Sequence, residues 1–159
     1  MKVLFVCTGN ICRSPTAAGV FAYFVRQAGL EEAIQVESAG THDYHVGQAP
    51  DLRAQDHAKR RGYDLSALRA RVVEPLDFEH FDLILAMDRD NLKALRRRAP
   101  DTAHERLRLF MEFAAHAGAP QEVPDPYYGG PNGFEEVLDL VESAARGLIA
   151  HLRRRTRAA

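Results

Sequence analysis

The chain has 159 residues, of which 46% are hydrophobic and 27% charged, with a formal net charge of −1. That is enough to bury a core without disulfides or metals, and the mixture excludes a disordered or membrane-spanning chain. The near-neutral charge gives no global reason to expect nucleic-acid binding, and two neighbouring cysteines, Cys7 and Cys12, form neither a secreted disulfide framework nor a Cys/His zinc cluster.

Lys2–Val6 reads as a buried strand. The apolar run Val3–Val6 is far too short for the hydrophobic part of a signal peptide and polar turn residues follow it, so a cytoplasmic location is expected. Pro15–Gly29 reads as a helix, because Val20, Phe21, Phe24, Val25 and Ala28 recur at helical spacing. Ser14 is its expected N-cap, with Pro15 at the first helical position. Ile34–Glu37 reads as a second strand and Pro50–Arg61 as a helix closed by Gly62. Phe81–Ala86 is a continuous apolar run of the kind found in central parallel strands. A helix over Asp90–Arg98 ends before Pro100, and Leu107–Phe110 reads as a further strand. The stretch 120–133, rich in proline and glycine, is a loop. Phe134–Arg155 is a long helix with Val137, Leu140, Val141, Ala144, Leu148 and Leu152 on one face. The basic spots, Arg96–Arg98 and the HLRRRTRAA tail, read as solvated helix ends. With no repeat or linker, the pattern implies a single α/β domain over residues 1–159, built on a parallel sheet. In such folds a ligand site is expected at the carboxyl end of the first strand.

That position holds Cys7-Thr8-Gly9-Asn10-Ile11-Cys12-Arg13-Ser14. A loop running into a helix N-terminus presents unpaired N–H groups to an anion, and the helix dipole adds to the attraction. Gly9 and Asn10 are the residue types that tolerate left-handed backbone, which turns successive N–H groups inward as a nest. A thiol at the start of that nest sees the same positive field, which favours its thiolate. Arg13 supplies a planar fork matched to two phosphate oxygens. Together these residues describe Cys7 as a nucleophile aimed at a phosphorus atom, with charge compensation that requires no metal.

The string CTGNICRSP resembles the active-site loop of the low-molecular-weight protein tyrosine phosphatases. Ser38-Ala39-Gly40-Thr41, Tyr44, Leu85-Ala86-Met87-Asp88 with Asn91, and Asp125-Pro126-Tyr127-Tyr128-Gly129 follow in that family's order, so the resemblance spans nearly the whole chain. It implies a flavodoxin-like three-layer fold, a four-stranded parallel sheet with helices on both faces. It also implies phosphotyrosine hydrolysis in two steps through a phosphocysteine.

By residue type alone, Asp125 between Pro124 and Pro126 is a turn former. By the resemblance it is the general acid and then the general base that such chemistry needs. Catalysis is therefore assigned to Cys7, Arg13 and Asp125. Thr8, Gly9, Asn10, Ile11, Cys12, Ser14, Tyr44, Tyr127 and Tyr128 are the expected substrate-binding residues. Ser14 can donate to the Cys7 thiolate as well as cap the helix. Asn10, by the resemblance, fixes the loop through neighbouring backbone together with Ser38, and Cys12 either pairs with Cys7 on oxidation or packs in the loop wall. Asp88 and Asn91 read as helix-start residues, and none of the seven histidines is assigned to catalysis.

Two positions depart from the family's pattern. Ala18 stands where relatives commonly carry Glu, and Ala67 or Leu68 where many carry His, so an apolar packing is expected in place of a polar network behind the loop. Other readings remain. An arsenate reductase of this fold needs cysteines after Cys12, and there are none. A phosphoarginine phosphatase of the same mechanism favours Thr where this chain has Ile11. A phosphate-recognition module without turnover has no use for Asp125. The expected partners are a phosphotyrosine protein and a phosphate or sulfate ion in the loop, with no cofactor, metal, nucleic acid or membrane; a monomer is the default.

Overall fold

In a computed structural model of the protein, residues 1–114, 116, 118–127, 129–130 and 132–158 are described, 156–158 by their backbone alone. Four strands, β1 (Lys2–Cys7), β2 (Gln35–Gly40), β3 (Leu83–Ala86) and β4 (Leu107–Leu109), form one parallel sheet in the order β2-β1-β3-β4. The helices are α1 (Arg13–Gln27), α2 (Leu52–Arg60), α3 (Asp77–His80), α4 (Arg89–Arg98) and α5 (Asn132–Ala158), with short 3-10 turns at Asp101–Arg106 and Phe110–Phe113. The flavodoxin-like three-layer arrangement expected from the sequence is present.

The two central strands are apolar on both faces because helices cover both. Val3, Phe5, Cys7, Leu83 and Leu85 pack with α1 and α5, and Phe5 stands edge-on to Phe21 and Phe110 at 5.6 and 4.9 Å between ring centroids. Leu4, Val6, Ile84 and Ala86 turn the other way, onto Phe78 of α3 and Leu92 and Leu95 of α4. Glycine permits two close approaches. A Cβ on Gly147 would lie 1.5 Å from the Phe113 carbonyl oxygen, and one on Gly19 would lie 2.2 Å from Leu65 Cδ2. Among the described residues no helix is long and apolar enough to cross a membrane.

Several boundaries differ from the sequence expectation for identifiable reasons. Ser14 is not the N-cap of α1. The helix starts at Arg13, position N-cap falls to Cys12 without a side-chain cap, and the Ser14 hydroxyl goes to Cys7 instead. Pro15 is thus the third helical residue, where its missing N–H still costs no intrahelical bond. Strand β2 continues past Glu37 to Gly40, because its backbone pairs with β1 as far as Cys7 while its polar side chains use the open edge. Strand β3 starts at Leu83 rather than Phe81; Phe81 closes α3, and Asp82 bonds Lys2 through both backbone and carboxylate. Helix α2 is shorter than expected, with Asp51 as its cap, and α5 runs longer at both ends.

Candidate active site

The loop Thr8–Cys12 leaves the carboxyl end of β1, between β2 and β3, and the carbonyls of Thr8, Ile11 and Cys12, with that of Cys7 before them, are taken by neighbouring segments. Cys7 O accepts from Thr41 N–H at 2.9 Å, Thr8 O from His42 N–H at 3.0 Å and Ile11 O from Asp51 N–H at 2.8 Å. The Thr16 hydroxyl donates to Cys12 O at 2.7 Å. With the carbonyls held outward the amides face in. Asn10 N–H donates to Cys7 Sγ at 3.2 Å, and among the described residues no protein acceptor takes the N–H groups of Gly9, Ile11 or Cys12. This is the backbone geometry that binds anions.

Asn10 makes that shape possible. It is the one non-glycine residue with positive φ among those described, at 58°, and it is buried. Its amide donates to Ser14 Oγ at 2.7 Å and Ser38 Oγ at 3.0 Å, and its carbonyl accepts from Arg71 N–H at 3.0 Å. Ser14 Oγ accepts from Asn10 and lies 3.0 Å from Cys7 Sγ and 3.4 Å from Ala39 O, so with Cys7 as a thiolate its proton goes to the sulfur, the nearer and charged acceptor. The sulfur therefore sits between two donors. Gly40 must be glycine for the same loop, since a Cβ there would come within 2.8 Å of Thr8 O.

Arg13 is 3% exposed, and its fork is positioned by three elements. Nη1 donates to Asp88 Oδ2 at 2.6 Å and to Val123 O at 3.1 Å; Nη2 reaches Thr8 Oγ1 at 3.4 Å and lies 3.7 Å from Asp125 Oδ2. Burial opposes the guanidinium's charge, but the Cys7 and Asp88 charges and the Asp88 hydrogen bond outweigh it and hold Arg13 protonated more firmly than usual. Cys12 behaves in the opposite way. Burial, with the neighbouring Asp51, Cys7 and Asp125 charges, pushes its thiol up to about 12, so it stays neutral.

These groups open onto one cavity of about 380 Å³ lined by Cys7, Thr8, Gly9, Ile11, Cys12, Arg13, Tyr44, His45, Asp125 and Tyr127. Asn10 and Ser14 stand behind it, holding the loop. Tyr44, stacked on His42, and Tyr127 are the exposed aromatic walls, and Asp125 lies at the mouth on the proline-flanked loop. Ile11 is turned largely inward, in a small cluster with Cys12, Ala54, Ala70 and Phe134. Tyr128 lies outside the described residues. At the two departures from the family pattern, Ala18 is buried in the core beside α1's neighbours and Leu68 packs against it, as an apolar replacement requires.

Sequence reasoning missed three contributors. Asp88 caps α4 as expected, accepting from Asn91 N–H, but its other oxygen orients Arg13. Asn91 lends its amide to Thr8 Oγ1 at 3.1 Å, while its side-chain carbonyl oxygen is buried and finds no hydrogen-bond partner among the described residues. His45, set aside with the other histidines, lies against Gly9 at the cavity wall. Among the described residues no group of three or more His, Cys, Asp or Glu side chains could hold a metal ion.

The profile of the family described as "Low molecular weight phosphotyrosine protein phosphatase" matches residues 2–158. A low molecular weight protein-tyrosine-phosphatase of Streptomyces coelicolor is 45% identical over 154 residues, covering 96% of this chain and 93% of its own length. A low molecular weight phosphotyrosine protein phosphatase of Schizosaccharomyces pombe is 44% identical over 144 residues, covering 89% and 91%. Among solved structures, a protein tyrosine phosphatase from Entamoeba histolytica with Hepes in its active site superposes with a TM-score of 0.94 at 42% identity, covering 98% of this chain and 99% of its own.

Proposed function

The chain belongs to the low molecular weight phosphotyrosine protein phosphatase family, and from that premise we propose that it hydrolyses phosphotyrosine through a phosphocysteine on Cys7. The Cys7 thiolate attacks phosphorus, the S–P bond forms, and the bond from phosphorus to the tyrosyl oxygen breaks. The Asp125 carboxyl gives its proton to the departing oxygen. In the second step the Asp125 carboxylate takes a proton from water as that water attacks phosphorus, the S–P bond breaks and inorganic phosphate leaves. Arg13 and the inward amides carry the charge on the phosphoryl oxygens throughout. The observation that supports this reading best is the meeting of Cys7, Arg13 and Asp125 at one cavity, with Arg13 Nη2 3.7 Å from the Asp125 carboxylate.

Tyr44 and Tyr127 at the entrance, with the largely buried Ile11 contributing apolar surface to the cavity wall, favour an aromatic ester over phosphoarginine. A nucleophilic thiol needs a reducing compartment, which favours a cytoplasmic setting. Free phosphate or sulfate competes for the same nest, and the chain acts as one folding unit and a monomer.

The test is hydrolysis of 4-nitrophenyl phosphate and a phosphotyrosine peptide in EDTA. Cys7→Ser abolishes turnover, and Asp125→Asn lowers kcat on the peptide by about 10²-fold or more. Activity retained by Cys7→Ser overturns the covalent mechanism. Faster turnover of a phosphoarginine substrate than of the peptide overturns the substrate assignment.

A further inference from the structure

We infer that Arg53 is a positioning residue for the general acid, tying the loop that carries Asp125 to the phosphate-binding loop. The inference rests on Asp125 being that acid.

Arg53 lies on the first turn of α2. Its Nε and Nη2 grip both oxygens of Asp51, at 3.2 and 3.0 Å. Asp51 is itself fixed: its carboxylate accepts from the N–H groups of Arg53 and Ala54, and its own N–H donates to Ile11 O of the phosphate-binding loop at 2.8 Å. Burial works against the Asp51 carboxylate, but the hydrogen bonds from Arg53 and Ala54 outweigh it and hold it below the usual carboxylate range. One end of the connection is thus anchored as an ion pair.

The other end reaches the acid's loop. The guanidinium lies over the ring of Tyr127 at 5.6 Å and over the ring of Phe134 at 4.9 Å, and Nη2 is 3.4 Å from Tyr127 O. Tyr127 N–H in turn donates to Asp125 Oδ1 at 3.0 Å, leaving Oδ2 on the side of Arg13. Phe134 packs in the cluster that contains Ile11 and Cys12, so the same guanidinium rests on the wall of the phosphate-binding loop. The path from nest to acid is continuous: Ile11, Asp51, Arg53, Tyr127, Asp125. A planar, forked cation fits it; a lysine reproduces the charge but neither the bidentate pair nor the stack.

Neither Cys7 nor Arg13 bonds to Arg53, and the Asp51 N–H to Ile11 O bond runs between backbones, so losing Arg53 leaves the hydrogen bonds of the nest in place and falls mainly on the acid's loop. The experiment compares phenyl phosphate, whose poor leaving group needs protonation, with 2,4-dinitrophenyl phosphate, whose good leaving group does not. In Arg53→Ala and Arg53→Lys, kcat/KM on phenyl phosphate falls about tenfold while that on the dinitrophenyl ester changes by less than about twofold, as expected for a misplaced catalytic group. Asp125→Asn shows the same bias more strongly, and Arg53→Ala added to Asp125→Asn causes no further loss, because the two act on one step. An equal fall on both esters, no change on either, or full additivity with Asp125→Asn overturns the inference. If Asp125→Asn itself shows no leaving-group bias, the acid assignment fails and the inference falls with it. Loss of all turnover in Asp125→Asn and wild type alike would instead remove the proposed function.

Discussion

Asn10 sits at a conformation that costs an L-residue about 1 kcal/mol, and three side-chain hydrogen bonds offset the strain, a buried one to Ser14 and half-buried ones to Ser38 and Arg71. Asn10→Ala keeps the strain and loses the bonds, whereas Asn10→Gly loses the bonds and the strain together. Urea unfolding should find both variants destabilised, with the alanine form worse by about 1 kcal/mol. Equal stability of the two would show that the left-handed backbone does not constrain this position. Cys12 gives a second test at the same scale. Burial and the Asp51 charge, the two largest causes that raise the Cys12 thiol, both survive the loss of Cys7, so Cys12 stays protonated and the Cys7→Ser protein should resist iodoacetamide at neutral pH. Mass spectrometry of the alkylated protein checks this. The residues of the loop were legible because a nest, its nucleophile and its cation are contiguous in sequence. His45 and Asp88 were not, because they reach the cavity from other strand ends and their residue types fit a surface ring and a helix cap equally well. Arg53 looked like any helical arginine in a chain where arginine supplies 18 of 21 basic residues.

Helix α5 closes the core against the Phe110–Phe113 turn, and Gly147 is where the two backbones meet. In an isolated helix Gly147→Ala would be favourable by about 1 kcal/mol. Here the new Cβ would fall 1.5 Å from Phe113 O, so the helix must shift, and the variant should be about 3 kcal/mol less stable by denaturant titration. A second junction joins α5 to α2: Glu135 accepts from Arg61 at 2.9 Å and pairs with His57 at 2.5 Å. The Arg61 hydrogen bond first, and the His57 hydrogen bond after it, hold Glu135 below the usual carboxylate range. A carboxylate depressed on folding stabilises the fold above its ordinary pKa, and that contribution is lost as pH falls through the lower folded value. The stability gap between wild type and Glu135→Gln should therefore be present at neutral pH and shrink on acidification below about 4.3. Because Glu135 is 42% exposed, screening keeps the gap to about 1 kcal/mol or less. Thermal melts of the two proteins at both pH values check the sign. The longer helices and the central strands were legible from their periods at this scale; α3 was not, because the four residues Asp77–His80 are too few to show a period. The α1 start was misread because Ser-Pro signals an N-cap, and the functional demand for a hydroxyl at Cys7 overrode it. The 3-10 turns carry no period of their own.

The strand order β2-β1-β3-β4 sends the chain from β1 outward to β2 and then back across to β3, so a crevice opens at the carboxyl ends of β1 and β3. The loop Thr8–Cys12 fills it, the N-terminus of α1 points into it, and residues 123–127 close over it from more than a hundred positions away. Parallel order and the location of the site followed from the alternation of apolar runs and amphipathic stretches. The closure by a distant loop did not, because proline-rich composition marks a loop without saying what it covers. This arrangement gathers inward amides, a helix N-terminus and a buried guanidinium around one cavity, so an anion bound there, as proposed, would find the conformational cost already met in the folded chain. Binding must then stabilise the whole molecule. Inorganic phosphate at 100 times its Kd adds about 2.7 kcal/mol. For a domain of this size each kcal/mol raises Tm by about 2–4 °C, so a rise of about 5–10 °C is expected. Cys7→Ser keeps the amides and Arg13 and should show the same rise. Arg13→Lys keeps the charge but loses the fork, and most of the rise should disappear with it. A rise of equal size in Arg13→Lys would place the bound phosphate somewhere other than the nest.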